Sequence, residues 1–225
     1  MSPAVLRAAA ARYRANWRTL LGVALIVALP AAILNGFLWT GGAAGVGTVF
    51  VIQVVLGGIV LAASVLVVAV HVETGERPSI ADALRGVQTH LGRVLVVAAL
   101  FHLALALGLL LILPSVIAAT FWLLAIPLAV VERRWLDAFT RSAQLVRGYA
   151  WQIVGVAIVV LLLLFPLPLG LAAILAAFGT PAAMQAAAGT LITVIVADPL
   201  AATVMTIAYF GLRERQEPPG DQPSA

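Results

Sequence analysis

The sequence predicts an all-α fold: a polytopic membrane bundle of six transmembrane helices, three amphipathic helices on its cytoplasmic side, and a threefold repeat of amphipathic helix plus hairpin. Three observations predict it. Of 225 residues, 63% are apolar and 10% charged, against roughly 45–50% and about 25% in a soluble domain. Charge is missing from long runs: no Asp, Glu, Lys or Arg occurs over 19–72, 94–131 or 148–197, and the last run resumes over 199–212 after Asp198. The 13 basic residues are all arginines, gathered in four short clusters between those runs.

A spanning helix takes about 20 apolar residues, because the hydrocarbon core is about 30 Å thick and the helix rises about 1.5 Å per residue. Each run is too long for one helix and suits a hairpin of two. The spans are expected at 18–38, 47–71, 93–112, 115–132, 151–170 and 185–211. Gly and Pro place the hairpin turns: 40–45 in the first run, Leu113-Pro114-Ser115 in the second, Gly179-Thr180-Pro181 in the third. Pro166 and Pro168 offer an alternative end to the fifth helix, with 171–178 as a short interfacial piece.

Arginine distribution sets the orientation. Every arginine falls on one side of this layout and none on the other. By the positive-inside rule that side is cytoplasmic, with both termini, and the chain is a multi-pass protein of the cell membrane. The opposite loops are a few small residues each. The apolar stretch after Arg18 runs on to Trp39, longer than a signal-peptide core, so it is expected to remain as the first span. Residues 1–215 read as one integral membrane domain, and 216–225 as a disordered cytoplasmic tail.

Three segments beside the arginine clusters carry helical apolar stripes: Leu6, Ala10, Tyr13, Trp17; Ile80, Leu84, Val87, Leu91; and Leu136, Phe139, Ala143, Val146, Ala150. The spacing gives each segment, about 3–18, 78–93 and 134–152, one apolar face. Each is expected to lie in the inner interface with its arginines on anionic headgroups, or to pack on the bundle. Ser79 and Asp82 have capping-box spacing. Asp137 and Arg141 stand as an i, i+4 pair.

The stretch 125–132, then 136–148 and Trp151, resembles a group of six-helix bacterial proteins related to the membrane domain of glycerophosphoryl diester phosphodiesterases. The matching positions are Pro127, Glu132, Ala138, Arg141, Ser142, Leu145, Gly148 and Trp151. Gly75-Glu76-Arg77-Pro78-Ser79 with Ala83 resembles that family's loop after the second span. The family often closes on Tyr-x-Asp-Leu-Arg; here the run is Tyr209-Phe210-Gly211-Leu212-Arg213, with Gly211 in place of the acid. The resemblance covers most of the chain and implies a six-helix membrane domain. It implies no phosphodiesterase activity, because the catalytic barrel is a separate domain of about 250 residues, for which the spans leave no room.

Two places could carry chemistry. Asp198 lies in the sixth span before Pro199, and an ionisable residue at membrane depth is a functional candidate for an ion or proton. His102 is the other midspan candidate, although depth along the helices argues against direct contact with Asp198. The structural alternative is that Asp198 is protonated, or bonded to Thr193, Thr203 or a neighbouring helix. Gln53 and Asn35 are expected to bond between helices, and Gly57, Gly58, Ala62 and Ala63 to allow close packing. The second place is the charged cluster of Glu132 with Arg133, Arg134, Arg141 and Arg147, a candidate site for anionic lipid or a partner protein.

Cys is absent and there are three His, so no metal site is expected. No nucleophile–base constellation, phosphate loop or cofactor motif is visible, so neither an enzyme nor a cofactor is expected. The basic pI, near 10.6, reads as topology, not nucleic-acid binding. The leading expectation is a non-enzymatic membrane protein engaging anionic lipid or a partner protein through its arginine-lined face, in envelope homeostasis or export. The alternative is a small transporter or permease component using Asp198.

Overall fold

The computed structural model describes residues 3–39, 41–109, 112–164 and 166–216. These residues are mostly helical and contain no strand. The order is α1 (Pro3–Leu38), α2 (Gly42–Ile52), α3 (Gly58–Thr74), α4 (Ile80–Gln88), α5 (Leu91–Leu109), α6 (Ile112–Trp122), α7 (Ala125–Val131), α8 (Asp137–Val146), α9 (Ala150–Leu164), α10 (Pro166–Ala177), α11 (Ala182–Ile192) and α12 (Asp198–Gln216). One widened π turn, Gln53–Gly57, joins α2 to α3, and a second, Thr193–Ala197, joins α11 to α12.

Four of the resulting rods are long and apolar enough to cross a membrane: Ala4–Leu38, Gly47–Thr74, Ala150–Ala177 and Ala182–Gln216. A fifth crossing follows if α4 and the first part of α5, bent by 84°, are taken as one span. The described part of the expected fourth span is broken at 123–124, leaving only a short apolar helix, Ala119–Val131. Pro127 is the reason. It has no N–H to give the Leu123 carbonyl one turn back. The hydroxyl of Ser142 on α8 fills the gap, donating to the Phe121 carbonyl at 2.7 Å and accepting the Leu124 N–H at 3.2 Å.

Two hairpin turns fall where glycine marks them. α1 ends before Gly41 and α10 before Gly179. The middle turn does not fall at Leu113-Pro114-Ser115. Those residues are already in α6, which begins at Ile112, and a proline is tolerated in a first turn because its missing N–H would have no partner there. Residues 110–111, like the tail 217–225, lie outside the described residues. Pro166 and Pro168 likewise sit in the first turn of α10, which runs on to Ala177, so 171–178 is not a separate piece.

The three amphipathic segments meet three fates. Residues 3–18 are not a separate helix; they continue without a break into the first span. Their stripe looks outward: Leu6, Ala10 and Trp17 are exposed while Ala9 and Asn16 are buried. α4 is separate and begins with the expected capping box. The Ser79 hydroxyl accepts the Asp82 N–H at 3.2 Å, and the Asp82 carboxylate accepts the Ser79 N–H at 3.3 Å. The stripe of α4 packs on the bundle through Val87, with Ile80 seated against Gly22. In α8 the buried face is Ala138, Ser142, Leu145 and Val146; of the expected stripe, Leu136 is exposed and Phe139 and Ala143 are half-buried. Small residues win this face because α8 is pressed against the break between α6 and α7.

α3 and α12 form the centre, and α1 and α9 pack on α12. Ala62, Ala63, Val65, Ala201, Ala202, Met205 and Tyr209 are sealed between these helices. On the outside α1 presents Leu25, Ile26, Leu29, Ile33 and Phe37. An exposed apolar stripe of this length marks a membrane-facing surface.

Candidate functional site

The deepest polar centre is built by the two π turns. Pro199 cannot donate to the Ile195 carbonyl, and the helix answers with one wider turn in which the Asp198 N–H donates to the Thr193 carbonyl five residues back. Such turns are common at functional sites. The turn 53–57 lies opposite it. Across the gap, Gln53 Nε2 donates to Asp198 Oδ2 at 3.2 Å. A side chain on Gly57 would bring its Cβ to 2.9 Å from that same oxygen, so only glycine lets the two helices meet over the carboxylate. Gly58 does the same against Ala98, where a Cβ would stand 3.2 Å from the alanine methyl.

Asp198 is fully buried. Its second oxygen, Oδ1, is buried too and has no hydrogen-bond partner. Neither Thr193 nor Thr203 supplies one, since their hydroxyls donate to the Gly189 and Pro199 carbonyls at 2.8 and 2.7 Å. The neighbouring-helix alternative holds, with Gln53 as the partner. Asn35 also bonds between helices as expected, donating to the Thr190 hydroxyl.

Beside this centre lies a cavity of about 450 Å³, within the range of roughly 300–1,000 Å³ usual for small-molecule sites. It is walled by α2, α5, α10 and α11 and reaches Trp39 and Ala182, next to the two glycine turns at the arginine-free end. The walls are mainly apolar; Gln53, His102, Gln185, Thr190 and Thr193 are the polar exceptions. Gln53 follows the start of α2 by 11 residues, about 16 Å of helix, so the cavity floor lies well inside the bundle, away from the glycine turns. Gln53 therefore faces two ways: it lines the cavity and it holds Asp198.

His102 lines the same cavity. Its Nδ1 is 2.8 Å from the Ala98 carbonyl, which only a protonated nitrogen can bond, so Nε2 is left as an acceptor. Among the described residues no bond joins His102 to Asp198.

The second centre is Glu132, at the arginine-bearing end. Its Oε2 takes Arg134 Nε at 2.7 Å and lies 4.0 Å from Arg141 Nε; its Oε1 accepts the Tyr209 hydroxyl at 3.0 Å. Arg213, 3.5 Å from the same hydroxyl, reaches Glu73 on α3 at 3.8 Å. Arg134 bridges on to Asp137 at 2.8 Å and holds that carboxyl below its ordinary range. Asp137 takes Arg134, and Arg141 reaches Glu132. Four segments (α3, the α7–α8 loop, α8 and α12) are tied at this point. Arg133, in the left-handed region at φ 55, points away, while its carbonyl accepts Arg93 Nη1. Arg133 and Arg147 are exposed.

The sequence brings forward Asp198 and His102; the structure puts His102 in the cavity wall and Asp198 behind Gln53, outside that wall. It puts Glu132, Arg134 and Arg141 together and leaves Arg133 and Arg147 outside. What sequence reasoning missed is Gln53 as the wall between cavity and acid, and Gly57 as the residue that allows it. One signal was present: Gln53 and Gly57 are four residues apart, hence on one face. Among the described residues no group of three or more His, Cys, Asp or Glu could hold a metal.

The described residues make an all-helical bundle with the long apolar helices of the membrane class. No family model matches the chain, and neither a curated protein nor a solved structure matches it.

Proposed function

We propose that this is a non-enzymatic, multi-pass protein of the cell membrane that binds a small, largely apolar molecule in the cavity above Asp198, as a small transporter or permease component does. The observation that carries this reading is Gln53, which lines a 450 Å³ cavity and bonds the buried carboxylate behind it. Six crossings, with α4–α5 and α6–α7 as the bent and broken ones, and both termini cytoplasmic, complete the proposal; the one-sided arginines support it. The similarity of 125–151 to the membrane domain of glycerophosphoryl diester phosphodiesterases belongs to the same proposal. Its support is that Pro127 and Ser142 meet at the α6–α7 break and Glu132 and Arg141 at the second centre, with Ala138 and Leu145 on the buried face of α8. The test is binding of N-phenylnaphthylamine, an uncharged apolar probe, to the purified protein in detergent. Saturable binding lost in Ala186→Trp, which fills the cavity, is expected; equal binding by that variant overturns the reading.

A second reading, contact with anionic lipid or a protein partner through the arginine-bearing end, is favoured by one observation. Exposed Arg133 and Arg147 stand beside exposed Trp135, Leu136 and Trp151, the last 87% exposed. Aromatic and cationic side chains together suit the headgroup layer. Liposome flotation tests it: wild type is expected to prefer anionic vesicles, and an Arg133→Gln/Arg147→Gln variant that keeps the full preference overturns it.

A further inference from the structure

We infer that the cavity takes lipophilic organic cations, and that Asp198 binds them in exchange for a proton, with Gln53 as the gate between cavity and acid. The inference rests on the cavity being a ligand site and adds the ligand's charge and its coupling.

The chemistry of the acid points to a cation. A carboxylate at membrane depth needs a positive partner or a proton. Asp198 has no positive partner among the described side chains, so without a bound cation it holds the proton. Its only bond is one amide N–H from Gln53, and Oδ1 is left over. The elements around it offer no substitute. α7, α9, α10, α11 and both π turns carry no titratable side chain. The arginines and Tyr13 of α1, His71 and Glu73 of α3, Arg93 and His102 of α5, and Asp137 and Arg141 of α8 make no bond or ion pair with Asp198. Arg213 and Tyr209, on its own helix, are engaged at the Glu132 centre. The bundle has 13 arginines, and none is spent on this acid.

The shape of the site adds the second half. The cavity walls are alkyl and aromatic, with Phe50 and Trp39 among them, and aromatic faces favour cations. A ligand with an apolar body and a diffuse positive charge satisfies both the walls and the acid. A strongly hydrated ion satisfies the acid but not the walls. Gln53 stands where these two parts meet. Rotating its amide away from Oδ2 opens the carboxylate to the cavity, and Gly57 leaves room beside it, where a Cβ would press on both. The exchange balances: one monovalent cation enters, one proton leaves Asp198 for the cavity, and the charge of the site is unchanged.

The experiment compares tetraphenylphosphonium with tetraphenylborate, which share size and shape but differ in charge. Binding to the purified full-length protein is read by Trp39 fluorescence and by calorimetry in two buffers of different ionisation enthalpy, which reports proton release. The expected result is preference for tetraphenylphosphonium by about tenfold or more, about 1.4 kcal/mol, with a proton released on binding and affinity falling as pH is lowered. Asp198→Asn is expected to abolish the preference and the proton release while keeping N-phenylnaphthylamine binding, which also shows that the variant is folded. Should Asp198→Asn not fold, the wild-type measurements decide alone. Equal affinity for the two ions, or binding without proton release, overturns the inference. So does proton release that survives Asp198→Asn and is lost in His102→Gln. If N-phenylnaphthylamine binds and Ala186→Trp blocks it while the cation is not preferred, the cavity stands and the cation falls. If Ala186→Trp blocks neither probe, the cavity itself falls.

Discussion

Asp198 and Glu132 are both carboxylates tied to α12, about three turns apart, and their surroundings are opposite. Glu132 lies at the arginine-bearing end with a tyrosine and two arginines on its oxygens. Asp198 lies in the middle with one amide bond and one oxygen unpartnered. A carboxylate whose capacity is filled by side chains from several elements acts as a staple. One that is buried and half-satisfied next to a cavity keeps its capacity for something else. Burial alone does not separate the two roles; counting partners does.

That contrast can be broken by substitutions on each side. The largest effect is expected at the staple. Glu132→Ala leaves Arg134, Arg141 and the Tyr209 hydroxyl without their shared acceptor; the half-exposed Arg134 pair adds little, and losing the charge-assisted bond to buried Tyr209 costs about 3 kcal/mol. Thermal unfolding in detergent reads this as a clear drop in Tm, and a variant melting with wild type would show that the centre holds nothing together. Gly57→Ala is next. Its methyl would sit 2.9 Å from Asp198 Oδ2, an overpacking cost of about 2 kcal/mol; unchanged stability with unchanged cation binding would remove Gly57 from the account. Ser142→Ala loses both hydrogen bonds that plug the α6–α7 break, about 1 kcal/mol, and hydrogen exchange at Leu124 is expected to speed up. If it does not, Pro127 alone makes the break.

The smallest effect is a pH effect at the surface. Asp82 and Asp137 both have carboxyls held below the ordinary range, the first by bonds from Ser79 and the second chiefly by Arg134. Their contribution is present above the unfolded-state value, near 3.8, and is lost as pH falls through the lower folded-state values. Stability is therefore expected to be flat from pH 7 to 5 on their account and to sag slightly below 4. Asp82→Asn with Asp137→Asn should remove that acid sag, because the contribution is then missing at pH 7 as well, and the pH profile flattens at a slightly lower stability.

Much of the architecture was legible from charge-free runs and punctuation. Gly179 ends α10 because its positive φ favours a residue without Cβ, and Gly41 opens α2 from a positive φ for the same reason. Leu113-Pro114-Ser115 misled because proline also opens helices. Residues 3–18 misled for another reason: an interfacial stripe and a span share the 3.6 period, so nothing in the pattern marks a boundary between them. The apolar stripe assigned to α8 was displaced because Ala138 and Ser142 carry little hydrophobic signal, yet they fit the tight contact with α6 and α7.

By itself the sequence determined that this chain is helical and built for a membrane, because helix period and apolar length are local properties. It also singled out Asp198, since a lone acid in an apolar run is visible without any contact. Tertiary structure alone decided which carboxylate is filled and which is not. That depends on Gln53 lying 145 positions from Asp198 and Tyr209 lying 77 from Glu132. Hydrogen-bond partnership across helices is set by which faces the bundle brings together, and no local pattern encodes it.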